Sequence, residues 1–131
     1  MVPSRVRSLL VVTILGLTAL AGCGDDGGDE GAQDCREVAP SDDGVTRVTV
    51  VGENIQFDVT CLRVQPGPIE VTFDNRDGGV AHNLRVSGNG VNASTELESG
   101  TTTQVLELDL VPGRYHYVCD PHGNMEGKLY V

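Results

Sequence analysis

Three side chains near the end of the 131-residue sequence have the types and the spacing of metal ligands. Cys119, His122 and Met125 follow one another at three-residue intervals, which puts a thiol, an imidazole and a thioether in one short stretch. A soft thiolate, an imidazole and a weak thioether suit copper when a second imidazole completes the set. His82 is the best-placed candidate for that second imidazole. Together the four residues predict a mononuclear type 1 (blue) copper site.

Each of these residues also has a structural interpretation, which the sequence leaves open. A lone cysteine is often a buried structural residue, a lone methionine often fills a core, and a lone histidine often lies at the surface. A zinc site is disfavoured because a thioether is a poor zinc ligand. Alternation along the preceding residues places Tyr115 and Tyr117 on one face and His116 on the other, so His116 is predicted to be solvated and not a ligand.

The stretch from Tyr115 to Gly127 resembles the ligand loop of the cupredoxins. Its pattern is Tyr-x-Tyr-x-Cys-x-Pro-His-x-x-Met-x-Gly, and the two-residue gap before Met125 is similar to that of amicyanin-like members. The resemblance covers about Val45 to Val131 and is strongest in the loop. It implies one copper ion, bound by His82 and the three loop ligands.

The resemblance also implies roles for two neighbours of the ligands. Asn83, directly after His82, is expected to join the two ligand-bearing segments by hydrogen bonds. Pro121 has no N–H and cannot donate a hydrogen bond to the Cys119 thiolate. The implied activity is outer-sphere transfer of single electrons, with His122 as the exit to the surface. The protein is therefore expected not to be an enzyme, because further copper centres require more histidines than His116 supplies. Copper storage or delivery with the same ligands is the alternative function.

The pattern of the chain between residues 45 and 131 is that of a β protein. Short apolar-polar alternations are separated by turn residues, and no amphipathic helix is evident. Strands are predicted at 45–51, 55–62, 69–73, 82–86, 102–108, 114–118 and 128–131, with Ile69, Val71 and Phe73 facing inward. Residues 88–100 are predicted to form a long loop with a short helical turn. The expected fold is an all-β, antiparallel Greek-key sandwich of about seven to eight strands, cupredoxin-like by the resemblance.

The first 22 residues have the features of an export signal. Arg5 and Arg7 precede an apolar run from Leu9 to Leu20, which is too short for a stable transmembrane helix. Leu-Ala-Gly-Cys, ending at Cys23, resembles a bacterial lipobox, in which the cysteine is lipidated. The alternative is an ordinary secretory signal that contains a cysteine. The predicted organisation is a lipoprotein signal peptide at 1–22, an acidic Gly/Asp-rich tether at 23–44 and the copper domain at 45–131.

Two cysteines remain after Cys23 and Cys119 are assigned. Outside the cytoplasm Cys35 and Cys61 are expected to form a disulfide, with two free thiols as the alternative.

The formal net charge of −10 limits the possible partners. Such a chain repels nucleic acid and anionic headgroups, so membrane attachment must come from the lipid. The protein is expected to be a monomer, anchored by lipid to a bacterial membrane outside the cytoplasm. Its expected partner is a redox protein, either a basic cytochrome or a membrane oxidoreductase.

Overall fold

The computed structural model describes residues 34–131. The predicted signal peptide, Cys23 and most of the predicted tether lie outside these residues. The described residues form twelve strands and no helix: β1 Arg36–Val38, β2 Thr46–Glu53, β3 Gln56–Phe57, β4 Cys61–Val64, β5 Gly67–Asn75, β6 Ala81–His82, β7 Arg85–Gly88, β8 Val91–Ser94, β9 Glu98–Ser99, β10 Thr102–Leu110, β11 Arg114–Cys119 and β12 His122–Tyr130. Correspondingly, this part of the chain contains no helix that could cross a membrane.

The strands form two packed sheets and one small ribbon. One sheet has six strands in the order β1-β4-β12-β11-β7-β8, and the other has four in the order β10-β5-β2-β3. The ribbon is the antiparallel pair β6-β9, in which His82 lies opposite Glu98. It therefore places His82 outside both large sheets.

The core lies between the two large sheets and follows from period-two alternation along their strands. In β5, Ile69, Val71 and Phe73 are buried, as the sequence predicted. Across the core, Tyr115 and Tyr117 of β11 are buried and His116 is exposed, also as predicted. The remaining buried apolar side chains of the strands come from both sheets and include Val48, Val50, Phe57, Leu62, Val64, Val86, Leu106, Leu110 and Leu129.

An aromatic cluster around Phe57 joins the two large sheets. The Phe57 ring packs edge-on against Phe73, at 6.1 Å between centroids, and against Tyr117 of the other sheet at 5.5 Å. The Tyr117 hydroxyl donates a hydrogen bond of 2.6 Å to the carbonyl oxygen of Val59. These contacts fix β11, which ends at Cys119, against the four-stranded sheet.

The all-β sandwich is confirmed, but several details of the prediction are wrong. The pairs β1-β4, β4-β12 and β2-β5 are parallel, so the sheets are mixed and not purely antiparallel. The strand predicted at 55–62 is interrupted between β3 and β4 by residues 58–60. Residues 88–100 contain β8 and β9 and no helical turn. The two strands were missed because polar edge strands lack the apolar alternation by which strands are recognised.

The disulfide joins the amino-terminal edge of the domain to its six-stranded sheet. Cys35 is bonded to Cys61, as expected, and the adjoining strands β1 and β4 run parallel in register. The folded domain thus begins by residue 36, inside the range assigned to the tether.

Candidate metal centre

The ligand segment is a hairpin whose loop is shorter than the one predicted between strands 114–118 and 128–131. Cys119 ends β11, His122 begins β12, and only Asp120 and Pro121 lie between them. Cys119 pairs with His122, whereas the preceding Val118 pairs with Glu126. The register therefore shifts by three residues on β12, and that irregularity accommodates the stretch leading to Met125.

Three donor atoms converge at this hairpin. The His82 Nδ1 atom lies 3.4 Å from the Cys119 sulfur, the same sulfur lies 3.4 Å from His122 Nδ1, and the two nitrogens are 3.1 Å apart. Within the described residues these three side chains are the group able to hold a metal ion. A point equidistant from the three atoms lies about 2 Å from each. The bonds that imidazole nitrogen and thiolate sulfur form with zinc, a metal of the same row as copper, are about 2.0–2.3 Å long.

Three of the four predicted ligands are buried, and the fourth is partly exposed. His82 is 0% exposed, and Cys119 and Met125 are also buried. His122 is half-buried and is thus the ligand through which the centre reaches the surface. The Met125 methyl group points toward Gly52 of the four-stranded sheet, since a Cβ at Gly52 would lie 3.5 Å from it. His116 lies on the outer face of β11 and does not join the cluster.

The Cys119 sulfur lies in a buried environment with two backbone donors. Burial raises the pKa of the Cys119 thiol, while the backbone N–H groups of Asn83 and His122 lower it. Pro121 is exposed and, lacking an N–H, donates no hydrogen bond. The thiolate is nevertheless met by two amides, which the sequence reasoning about Pro121 did not identify.

Asn83 joins the two ligand segments as the resemblance suggested. Its side-chain oxygen accepts a hydrogen bond of 2.9 Å from the backbone N–H of Asp120, and its amide nitrogen donates one of 2.7 Å to the Asp120 carboxylate. Arg85 donates to both oxygens of the same carboxylate, at 2.8 and 2.7 Å. These bonds, led by those from Arg85, hold the pKa of Asp120 at about 2. Asp120 and Arg85 were missed because neither belongs to the ligand pattern.

Asp77 is a third residue that the sequence reasoning missed. Its carboxylate lies 2.8 Å from Nε2 of His82 and accepts the backbone N–H groups of Ile55 and Asn54. Those two backbone donors, Ile55 first, hold the pKa of Asp77 below its ordinary value. A carboxylate only accepts hydrogen bonds, so Nε2 of His82 carries a proton, and in the neutral ring Nδ1 then keeps its lone pair for a metal. No local motif marks Asp77, which the sequence places in a glycine-containing loop.

The donor set fits copper. One cysteine sulfur and two imidazole nitrogens form a triangle of the right size, and a buried thioether lies on the same strand as one imidazole. That combination is the ligand set of blue copper centres, whereas zinc disfavours a thioether and calcium and magnesium require oxygen ligands.

Comparisons with known proteins agree with this geometry. The family model described as a cupredoxin-like domain matches residues 15–131. Amicyanin-alpha of Methylorubrum extorquens is 31% identical over 103 residues, which is 77% of this chain and 82% of that protein.

Solved structures share the fold at lower sequence identity. Auracyanin A of Chloroflexus aurantiacus, a "blue" copper protein, has a TM-score of 0.59 and 22% identity over 67% of this chain and 99% of its own. Rusticyanin from Thiobacillus ferrooxidans has a TM-score of 0.57 and 20% identity over 72% of this chain and 81% of its own.

An enzyme is also among the similar structures. A copper-containing nitrite reductase from Thermus scotoductus has a TM-score of 0.55 and 23% identity, over 65% of this chain but 22% of that chain. At such identities these solved structures show the fold. The family model and the amicyanin relative carry the assignment further: this chain belongs to the cupredoxin-like family, and copper is its cofactor.

Proposed function

We propose that this protein is a mononuclear type 1 copper protein that carries single electrons between redox partners outside the cytoplasm. The observation that carries the proposal is the convergence of His82 Nδ1, Cys119 Sγ and His122 Nδ1 within 3.1–3.4 Å of one another. Buried Met125 on the same hairpin supplies the weak fourth donor that such sites use.

The residues around the donors favour electron transfer because they hold the ligands in one arrangement. Copper supplies a one-electron couple between its cuprous and cupric states. Asp77 holds the His82 ring by a contact of 2.8 Å, and Asn83 joins the His82 segment to the ligand hairpin by hydrogen bonds of 2.7 and 2.9 Å to Asp120. A fixed set of donors changes little between oxidation states, which keeps the reorganisation energy small. His122, half-buried at the end of the hairpin, provides the route to a partner.

The supply of histidines favours a carrier over a catalyst. The sequence contains three histidines, and two of them are in the donor cluster. His116, the third, lies on the outer face of β11, and one histidine does not build a further catalytic copper centre.

The site of action is inferred from the amino-terminal sequence. A signal at 1–22, a lipidated Cys23 and the acidic run that follows would hold the domain above a bacterial membrane. We expect Cys23→Ala to move the protein from the membrane fraction to the soluble fraction of the producing cells. Retention of the variant in the membrane fraction would contradict the lipid anchor.

The first experiment is the visible spectrum of the purified protein with one equivalent of Cu(II). We expect an intense blue band that ascorbate bleaches and that returns on reoxidation. Cys119→Ser should abolish the band, because it removes the thiolate whose charge transfer to Cu(II) gives the colour. His116→Asn is the matched control, since it removes the histidine outside the cluster, and should leave the band unchanged. A colourless wild-type protein that binds Cu(I) would instead favour copper storage or delivery.

A further inference from the structure

Asp77 connects a metal ligand to a turn that carries no ligand. Its Oδ1 atom accepts the backbone N–H of Asn54 at 2.7 Å, and its Oδ2 atom accepts that of Ile55 at 3.0 Å. Oδ2 also lies 2.8 Å from Nε2 of His82. The Asp77 side chain is 13% exposed and the His82 side chain is 0% exposed, so their contact is largely shielded from water, whereas the two turn residues are exposed. One carboxylate therefore links the β2-β3 turn to the ring of His82.

The turn has a conformation suited to holding an anion. Asn54 and Ile55 have φ values of 55° and 56°, in the left-handed region. Successive residues in such turn conformations direct their N–H groups into a small concavity that binds negative charge. A β-branched isoleucine rarely adopts this region, and two-residue turns of this type favour asparagine and glycine. The hydrogen bonds to Asp77 are what compensates the strained backbone at Ile55.

The same turn also contacts the ligand hairpin. The side-chain nitrogen of Asn124 donates a hydrogen bond of 3.1 Å to the carbonyl oxygen of Ile55. Asn124 lies between His122 and Met125, in the stretch where the β11-β12 register shifts. The Asn54-Ile55 turn thus makes contact with both ligand segments, one through Asp77 and one through Asn124.

The buried side chain of Asn75 holds the loop that carries Asp77 in place. Asn75 is 1% exposed, and its side-chain oxygen accepts the backbone N–H of Asp77 at 3.0 Å. The Asn75 amide nitrogen donates to the carbonyl oxygens of Val80 and Glu98, at 3.3 and 3.4 Å. Glu98 is the residue opposite His82 in the small ribbon. The position of the Asp77 carboxylate is therefore fixed by the same elements that fix His82.

We propose that Asp77 and the Asn54-Ile55 turn form a clamp that positions His82 before any metal binds. Asp77 is a positioning residue, since it acts on the centre through His82. The clamp keeps the proton on Nε2 and directs Nδ1 toward Cys119, so the metal-free centre is already arranged for its ion. This inference deepens the proposed function, in that it takes His82 as a ligand of the same centre.

The ring tautomer of His82 in the metal-free wild-type protein tests the clamp directly. We expect nitrogen NMR of the full chain, purified with detergent present, to show Nε2 protonated and Nδ1 unprotonated in the neutral form of the ring. In Asp77→Asn the side chain offers a single acceptor oxygen, and its NH2 group faces a backbone N–H. We therefore expect that variant to lose the single tautomer. A neutral wild-type ring protonated at Nδ1 and not at Nε2 would overturn the proposal whether or not the variant folds.

Metal affinity gives a second test, with Zn²⁺ as the probe in competition with a chromogenic chelator. Loss of an outer-shell partner of a ligating histidine typically weakens binding about 10–100-fold, and we expect that loss for Asp77→Asn. Asp74→Asn is the matched control, because it removes the same charge from a nearby residue that pairs with Arg76 and not with His82.

The two proposals fail in different ways. Wild-type zinc affinity in Asp77→Asn would overturn the clamp and leave a blue, reversibly reducible centre intact. A protein whose zinc affinity depends on Asp77 but whose copper form is colourless would support the clamp and contradict the electron carrier.

Discussion

Gly127 is a position where the absence of a side chain is required by a neighbouring ring. It is a buried residue of β12, and a Cβ there would overlap the ring and hydroxyl of Tyr117. The Tyr117 ring cannot move away easily, because its hydroxyl is bonded to Val59 and its face packs on Phe57. The glycine of the ligand pattern is therefore explained by packing and not by turn geometry.

We expect Gly127→Ala to lower the free energy of unfolding of the metal-free protein by about 1–3 kcal/mol, the usual cost of overpacking a core. Denaturant titration followed by circular dichroism measures this change. Gly78→Ala is the control, since a Cβ at Gly78 has no neighbour within 4 Å. Equal stability of the two variants would show that Tyr117 has room to shift.

The site residues found from the sequence lie close together along the chain, whereas those that were missed contact the site from distant segments. Cys119, His122 and Met125 lie within seven residues, so their spacing alone indicates a common point of convergence. Asp77 reaches His82 through a loop, and its other contacts come from a turn 22 and 23 residues away. Such contacts depend on the packing of three elements, which no local pattern specifies.

Strand β1 is an edge element whose attachment depends on few contacts. It is three residues long, pairs only with β4 and is joined to it by the Cys35-Cys61 disulfide, which closes a separation of 26 residues. Closing a loop of that size stabilises a fold by about 3 kcal/mol in chain-entropy accounts.

We therefore expect replacement of both Cys35 and Cys61 by serine to lower the free energy of unfolding by about 3 kcal/mol. Hydrogen exchange should show the largest loss of protection in β1, because that strand has a single neighbouring strand. The Cu(II) spectrum should stay unchanged, since neither cysteine belongs to the donor cluster. Unaltered exchange in β1 would mean that strand pairing alone holds it.

An ion-pair network at the start of β2 gives a prediction about pH. Arg47 donates to both carboxylate oxygens of Asp43, at 3.1 and 2.8 Å, and also to Glu70 on the adjacent β5. The hydrogen bonds from Arg47, then the one from the Val45 backbone, lower the pKa of Asp43 below 3.8. A lowered folded-state pKa stabilises the fold above pH 3.8, and that stabilisation is lost as pH falls further.

We expect Asp43→Asn to be slightly less stable than wild type at pH 7, because exposed ion pairs contribute little. The difference should vanish as the pH is lowered below 3.8, toward the folded-state pKa of Asp43. Denaturant titrations across this range measure it, with Asp42→Asn as the neighbouring control. A difference that grows toward low pH would contradict the assignment.

Strands could be predicted where burial of one face imposes an alternation of apolar and polar residues, and they were missed where it does not. β5 lies in the middle of its sheet, and its inward residues Ile69, Val71 and Phe73 were identified correctly. β8 and β9 lie at edges with mostly polar or exposed residues, so alternation gave no signal for them. The parallel pairing of β2 with β5 is a long-range feature that strand patterns do not encode.

At the scale of the whole molecule, the distribution of charge favours a cationic partner. Five arginines of the described residues form ion pairs with acids: Arg36, Arg47, Arg63, Arg76 and Arg85. Near the metal centre, Glu96 and Glu98 are exposed on either side of Leu97, whose side chain is 54% exposed. The Gln104 side chain holds this segment by hydrogen bonds of 2.8 and 3.0 Å to the backbone of Glu96.

We expect this acidic segment to steer a basic cytochrome toward the metal centre, because Glu98 lies directly opposite His82. The double variant Glu96→Lys/Glu98→Lys should slow electron exchange with such a cytochrome about tenfold at low ionic strength, with the difference disappearing at high salt. Stopped-flow absorbance at the blue band measures the rate.

Glu107→Lys/Asp109→Lys is the matched control, because it makes the same change in net charge toward the end of β10 that pairs with Gly67 and Pro68. The opposite end of β10 pairs with Asn75, beside the ribbon that carries His82. Charge reversal away from the centre should therefore have a much smaller effect on the rate. If both double variants slow the reaction equally, the net charge of the molecule governs the encounter and the acidic segment has no special part in it.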